Sequence, residues 1–240
     1  VLLGLRDLLR SAKPDVVLLH GDTTTCFAAG LAAFYENIKL GHVEAGLRTR
    51  NLRAPFPEEA NRTLVGRLVD FHFAPTQLSK LNLLAEGVPE TQITVTGNTV
   101  IDALLIVRDK VQSLPATHWQ DKFGKSLFEK IIDTGRKLIL ITGHRRENFG
   151  QGFVDLCNAI RILAEKHADW DLIYPVHLNP NVQKPVFEIL SNLPNVHLVD
   201  PLDYEPFVWM MDKSDVILTY SGGIQEEGPS LGKPVLVMRN

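Results

Sequence analysis

The chain has 240 residues, 45% hydrophobic and 22% charged, which is ordinary globular composition with room for one or two domains at about 100–200 residues each. A net charge of −3 removes the basic excess that nucleic acid or an anionic membrane surface would require. No apolar run reaches the ~18 residues that span a bilayer and no signal-peptide pattern opens the chain, so a cytoplasmic location is expected, with neither nucleic acid nor membrane as partner.

In chain order, Leu2, Leu5, Leu8 and Leu9 have helical spacing. Asp15–Leu19 reads as a buried strand, Thr25–Asn37 as a helix and Leu40–Val43 as a short strand. Glu58–Leu68 is a predicted helix whose Pro57 suits its first turn. Phe71–Ala74 is a strand, followed by a helix over Gln77–Glu86, which Thr76 can cap and Gly87 can stop. Ile93–Thr96 and Thr99–Val111 complete a first α/β set. Residues 112–136 lack a period and carry Pro115 and Gly135; they read as a linker plus a docking helix. The alternation then restarts. Strands are predicted at Leu138–Ile141, Asp171–Val176, Val196–Val199, Val216–Thr219 and Pro234–Val237. Helices are predicted at Phe153–His167, near Val182–Ser191, through Phe207–Met211 and from Ile224.

This alternation specifies an α/β chain of two doubly wound, Rossmann-like domains, residues 1–111 and 137–240, joined by 112–136. Cys26 and Cys157 fall far apart in predicted helices, and buried free thiols in a reducing compartment are expected of them. The chain opens at Val1 and closes just after the apolar strand Val235–Val237. A parallel sheet rarely starts on a helix and stops on a bare strand, so an internal piece of a longer protein, truncated at both ends, is expected.

Ligands of such sheets bind outside the carboxyl ends of the strands. The residues at those ends are unusually polar: Gly21-Asp22-Thr23, Glu44-Ala45-Gly46, Gly143-His144-Arg145-Arg146-Glu147-Asn148, His177-Leu178-Asn179 and Ser221-Gly222-Gly223. A strand, then Ser-Gly-Gly, then a helix suits an anion, because free N–H groups and the helix dipole face it and glycine lets it approach. Glu227, four residues after Gly223 on the same helix face, could accept hydrogen bonds from two ribose hydroxyls. A tight turn and a solvated helix start account for the same residues.

Asp22, Glu44, Glu58 and His144 are the candidate reactive groups. Each acid has a competing structural role: a helix N-cap for Asp22, an ion pair with Arg48 for Glu44, and a dipole-complementing first turn for Glu58. Arg145 and Arg146 offer positive charge for a diphosphate. His42 and His72 lie in or beside strands and read as structural, whereas His177 ends a strand and is a ligand-contact candidate. No zinc spacing, EF-hand, acidic metal cluster, P-loop or Gly-x-Gly-x-x-Gly appears, so no metal or cofactor is expected.

Taken together, the segments resemble the non-hydrolysing UDP-N-acetylglucosamine 2-epimerases. The resemblance rests on His20-Gly21-Asp22-Thr23-Thr24-Thr25, His42-Val43-Glu44-Ala45-Gly46-Leu47-Arg48 and Pro57-Glu58-Glu59-Ala60-Asn61-Arg62. It continues in Val95-Thr96-Gly97-Asn98-Thr99, Thr142-Gly143-His144-Arg145-Arg146-Glu147-Asn148, Ser221-Gly222-Gly223-Ile224-Gln225-Glu226-Glu227 and Gly232-Lys233-Pro234-Val235-Leu236.

The resemblance implies a glycosyltransferase-B-like fold with the active site between its domains. It implies C2 epimerisation of UDP-GlcNAc to UDP-ManNAc, by elimination of UDP to 2-acetamidoglucal and re-addition. Asp22, Glu44 and Glu58 match the family's acidic catalytic residues, and His144 its active-site histidine. Phe207, Ser221, Gly222, Gly223 and Glu227 match UDP-contact positions. Arg145, Glu147 and His177 fall in segments that bind a second, activating UDP-GlcNAc in some bacterial members. A homodimer is implied in the same way. Three departures stand out: the family's N-terminal strand with its Gly-Thr-Arg-Pro-Glu loop is missing, as are its C-terminal Arg-Pro-Glu segment and closing helices. Tyr220 stands where an acid often precedes Ser-Gly-Gly. Competing expectations are a retaining glycosyltransferase of the same fold, a hydrolysing epimerase and a non-catalytic nucleotide-sugar-binding module.

Overall fold

The computed structural model describes residues 1–132, 135–143 and 151–238. They form two compact units, Val1–Thr99 and Val100–Asn240.

The first unit runs α1 (Leu2–Ala12), β1 (Val16–His20), α2 (Thr24–Tyr35), β2 (Lys39–Val43), α3 (Glu58–Val65), β3 (Phe71–Ala74), α4 (Gln77–Ala85) and β4 (Ile93–Val95). Its four strands are parallel in the order β1-β2-β3-β4. Apolar residues on the helices meet the strands in two clusters, one around Leu19, Ala33, Leu40 and Val65, the other around Ala45, Ala74, Leu83 and Ile93. The cap at Thr76 forms as predicted: its hydroxyl accepts the Ser79 N–H at 3.1 Å.

The second unit holds most of α5 (Thr99–Gln112), then α6 (Ala116–Phe123), α7 (Lys125–Ile132), β5 (Lys137–Thr142), α8 (Gln151–Lys166), β6 (Trp170–Pro175) and α9 (Pro180–Leu190). It continues with β7 (Val196–Val199), α10 (Tyr204–Lys213), β8 (Val216–Thr219), α11 (Ile224–Ser230) and β9 (Val235–Val237). Its five strands are parallel in the order β7-β6-β5-β8-β9. Period-two alternation buries both faces. Leu138, Leu140, Ile173 and Ile217 point into one cluster, and Ile139, Ile141, Leu172 and Tyr174 into the other.

Two segments differ from the sequence reading. Helix α5, assigned there to the first domain, packs Leu104 and Val111 into the core of the second unit. The stretch read as a linker with one docking helix carries two short helices, α6 and α7. Their Trp119 and Phe128 stack with Trp209 of α10, the two tryptophan rings 4.4 Å apart. Helices this short are held by such tertiary contacts, which leave no long period to read. Both cysteines are buried free thiols in separate units, as expected.

Candidate active-site residues

In the first unit the polar groups gather at the carboxyl ends of β1 and β2. After His20 the chain turns through Gly21 at φ +73°, a conformation glycine adopts without strain, and enters α2. Thr23 is the N-cap: its hydroxyl accepts the Cys26 N–H at 3.2 Å. Asp22 is therefore not needed as a cap. Its carboxylate pairs instead with Nη2 of Arg62 on α3, and its carbonyl accepts Nδ2 of Asn61 at 2.9 Å.

Glu44 follows β2 with φ +67°, a left-handed backbone unusual for a residue with a side chain. Its Oε1 lies 3.4 Å from Nε2 of His20. A Cβ on Gly21 would stand 3.5 Å from its other oxygen. The pairing with Arg48 does not form. That guanidinium, 2% exposed, is held two-way by Glu86 at 2.7 and 2.9 Å and caps the Leu47 carbonyl at 2.8 Å. Gly46 has φ +86° and no room for a side chain, since a Cβ would fall 2.3 Å from the Ser79 carbonyl oxygen.

Glu58 is the first residue of α3, half-exposed, where a carboxylate complements the helix dipole. Its neighbour Glu59 is buried. One oxygen of Glu59 accepts the Arg50 N–H at 2.9 Å and the other meets Nη1 of Arg62 at 3.2 Å. Glu59, Asn61 and Arg62 stand in the Pro57–Arg62 segment that carries the resemblance, with no role of their own expected from it. The i, i+3 spacing of Glu59 and Arg62 on a predicted helix was the available signal.

His42 and His72 are paired across β2 and β3 and both are buried, in line with a structural role. Nε2 of His42 lies 2.7 Å from the Gly21 carbonyl oxygen, which can only accept, so that nitrogen carries the proton. The Nδ1 atoms of both rings are buried without a partner. Burial pulls His72 down to about 4, helped by the neighbouring His42 and Arg48 and opposed by Glu86. Burial also lowers His42, against the pull of its Gly21 hydrogen bond.

The second unit presents a cavity of about 460 Å³ lined by Thr142 and Gly143 after β5, His177 after β6, Phe207 of α10, and Tyr220 to Gly222 after β8. The connection after β5 leads to β6 on one side, while β8, reached from β7, lies on the other side of β5. The cavity thus sits at the topological switch point, where doubly wound sheets hold ligands. Thr219 and Thr142 join hydroxyls at 2.6 Å, and the Thr219 oxygen also accepts the Ser221 N–H at 2.9 Å. The amides of Gly223 and Ile224 belong to the start of α11, whose first turn lacks intrahelical acceptors for them. The space in front of Gly222 is open, since a Cβ there would meet nothing within 4 Å.

Phe207, Ser221 and Gly222, which the resemblance matches to UDP contacts, line the cavity, and Gly223 is the N-cap of α11. Glu227 lies one turn into α11 and is buried. Burial pushes its carboxyl above the ordinary range, and a 3.3 Å hydrogen bond from the Tyr204 hydroxyl works against that rise. His177 lines the cavity and its Nδ1 accepts the Asn179 N–H at 3.1 Å. His144, Arg145, Arg146 and Glu147 lie outside the described residues. Among the described residues, no cluster of three or more His, Cys, Asp or Glu could hold a metal ion. No helix there is long and apolar enough to cross a membrane.

The sequence matches the UDP-N-acetylglucosamine 2-epimerase family model over residues 1–240. The chain belongs to this family. Among curated relatives, the UDP-N-acetylglucosamine 2-epimerase of Escherichia coli (strain K12) is 57% identical over 242 residues. That match covers 100% of the chain and 63% of the relative's length. The crystal structure of the Neisseria meningitidis UDP-GlcNAc 2-epimerase bound to UDP-GlcNAc is 52% identical, with a TM-score of 0.89, over 100% of this chain and 63% of that one. The Methanocaldococcus jannaschii UDP-GlcNAc 2-epimerase in complex with UDP-GlcNAc and UDP is 31% identical, with a TM-score of 0.77, over 100% and 64% respectively. The two parallel-sheet units thus have the glycosyltransferase-B-like architecture of the epimerases, and the chain spans somewhat under two thirds of their length.

Proposed function

We propose that the protein carrying this chain interconverts UDP-GlcNAc and UDP-ManNAc by inverting C2 of the sugar. Family membership across residues 1–240 is the observation that carries this reading. The C2 hydrogen is not next to a carbonyl, so its direct removal is difficult. Elimination of UDP avoids the problem. The C1–O bond breaks as a base takes the C2 proton, giving 2-acetamidoglucal, and UDP adds back after a proton is delivered to the other face of C2.

In this reading the diphosphate lies against Gly222, Gly223 and the start of α11, where amide donors stabilise the charge that develops on it. Ser221 frames that turn, Phe207 packs against the nucleotide, and Glu227 receives the ribose hydroxyls. Asp22, Glu44 and Glu58 supply proton removal and return, and His144 assists at the reacting centre. An acid or base of this kind contributes roughly 100- to 10,000-fold. No metal or nicotinamide enters the reaction. His177, with Arg145 and Glu147, is assigned to a second, activating UDP-GlcNAc. The enzyme is taken as a cytoplasmic homodimer whose product feeds a cell-surface polysaccharide.

The test is turnover of UDP-GlcNAc by the full-length protein in deuterated water, followed by NMR. Deuterium at C2 of both sugars is expected. Epimerised product without label would exclude the elimination route, and free ManNAc would indicate a hydrolysing enzyme.

A further inference from the structure

Asp22 is held from two sides by one helix. Arg62 of α3 pairs with its carboxylate, and Asn61 donates to its carbonyl at 2.9 Å. Arg62 is itself fixed. Its Nη1 meets Oε2 of Glu59 at 3.2 Å, and its side chain is only 11% exposed. Glu59 is 1% exposed, and its second oxygen accepts the Arg50 N–H at 2.9 Å. A carboxylate so enclosed has both oxygens committed and no path to a substrate. It serves as an anchor, and its burial is supported by the partners it has.

The same helix begins with Glu58. A single rigid element therefore carries one candidate reactive carboxylate on its first residue and fixes a second through residues one turn later. Charge-assisted pairing through a guanidinium fixes direction as well as distance, because its donors lie in one plane.

We infer that Arg62 and Asn61 are positioning residues that orient Asp22 for the reaction, with buried Glu59 as their anchor. The inference rests on the proposed epimerase reading. Arg62 reaches the chemistry only through Asp22, so its loss misplaces that carboxylate without touching the nucleotide-binding residues of the second unit. Displacing a reacting group by an ångström costs about 100-fold in rate.

The experiment is a double-variant cycle in the full-length protein, read as kcat and KM for UDP-GlcNAc. Arg62→Gln is expected to lower kcat about 100-fold and to leave KM within about threefold. Arg62→Lys, which keeps the charge, should recover part of the loss. The decisive variant combines Arg62→Gln with Asp22→Asn. Its kcat should stay within about threefold of Asp22→Asn alone, because a residue acting through Asp22 has nothing left to orient. Losses that multiply, or an Arg62→Gln protein with unchanged kcat, overturn the inference.

If Arg62→Gln does not fold, Asn61→Leu takes its place in the same cycle, with the same two outcomes. A wild-type protein that leaves UDP-GlcNAc unchanged would fail the functional reading instead. The clamp is then read from urea unfolding of the same variants, where effects of Arg62→Gln and Asp22→Asn that simply add would overturn it.

Discussion

The two units put polar groups at the same place, the carboxyl ends of parallel strands, and use them in opposite ways. In the first unit the groups satisfy one another: Asp22 with Arg62, Glu59 with Arg62 and the Arg50 amide, His42 with the Gly21 carbonyl. In the second unit the corresponding ends surround an open cavity of about 460 Å³ and leave backbone amides at its edge. A network of mutually fixed charges suits proton transfer, which needs groups held in one geometry. An open cavity edged by helix-start amides suits reversible capture of an anion. In the proposed epimerase reading, this difference is a division of labour between proton transfer and diphosphate binding.

The largest effect that tests this division is loss of the first unit's carboxylates. Asp22→Asn, Glu44→Gln and Glu58→Gln should each cut turnover roughly 100- to 10,000-fold. UDP affinity, measured by calorimetry, should change only a few-fold. Equal loss of UDP binding and turnover would erase the distinction between the units.

Next in size is acid sensitivity. Unfolded His72 takes up a proton near 6.5 and folded His72 only near 4. Between those values the unfolded chain binds more protons, so stability is complete above about 6.5 and falls as pH drops towards 4. The full shift corresponds to about 3 kcal/mol. His42, Arg48 and Glu86 are the charged or titratable groups that act on it. Urea unfolding at stepped pH should show this slope in the wild type and a flatter one in His72→Leu. An unchanged slope would assign the acid sensitivity to other groups.

The smallest effect belongs to the second unit. Gly222→Ala meets open space and needs no left-handed backbone, so thermal stability should hold within a degree or two. The added methyl stands where the phosphate would approach, and UDP affinity should fall about tenfold. Unchanged affinity would move the diphosphate away from this turn.

Much of the fold was legible because buried parallel strands are short apolar runs. Phe71–Ala74, Val196–Val199 and Val216–Thr219 begin and end where the pattern placed them. Helices α6 and α7 were not legible, since what holds them is the stacking of Trp119 and Phe128 on Trp209, distant in the chain. The same holds for the site. Strand ends identify Asp22 and Glu44 as residues to watch, because the parallel sheet places them at a ligand-facing edge. Their partners lie far along the sequence. Arg62 is 40 residues from Asp22, and Glu86 is 38 from Arg48. Local pattern offered Arg48 to Glu44, and only the folded chain takes it elsewhere.

The segment after β2 also bears on how its sequence should be interpreted. Ala45 is fully enclosed, Gly46 has a backbone oxygen where a side chain would begin, and Arg48 is locked to Glu86. Three of the four residues that follow Glu44 are thus dictated by packing, whatever reaction takes place beside them. Invariance at 45, 46 and 48 in a set of relatives would testify to the shape of this corner and not to its chemistry. A descendant that lost the activity while keeping the fold should retain these three residues and be free to drift at Glu44.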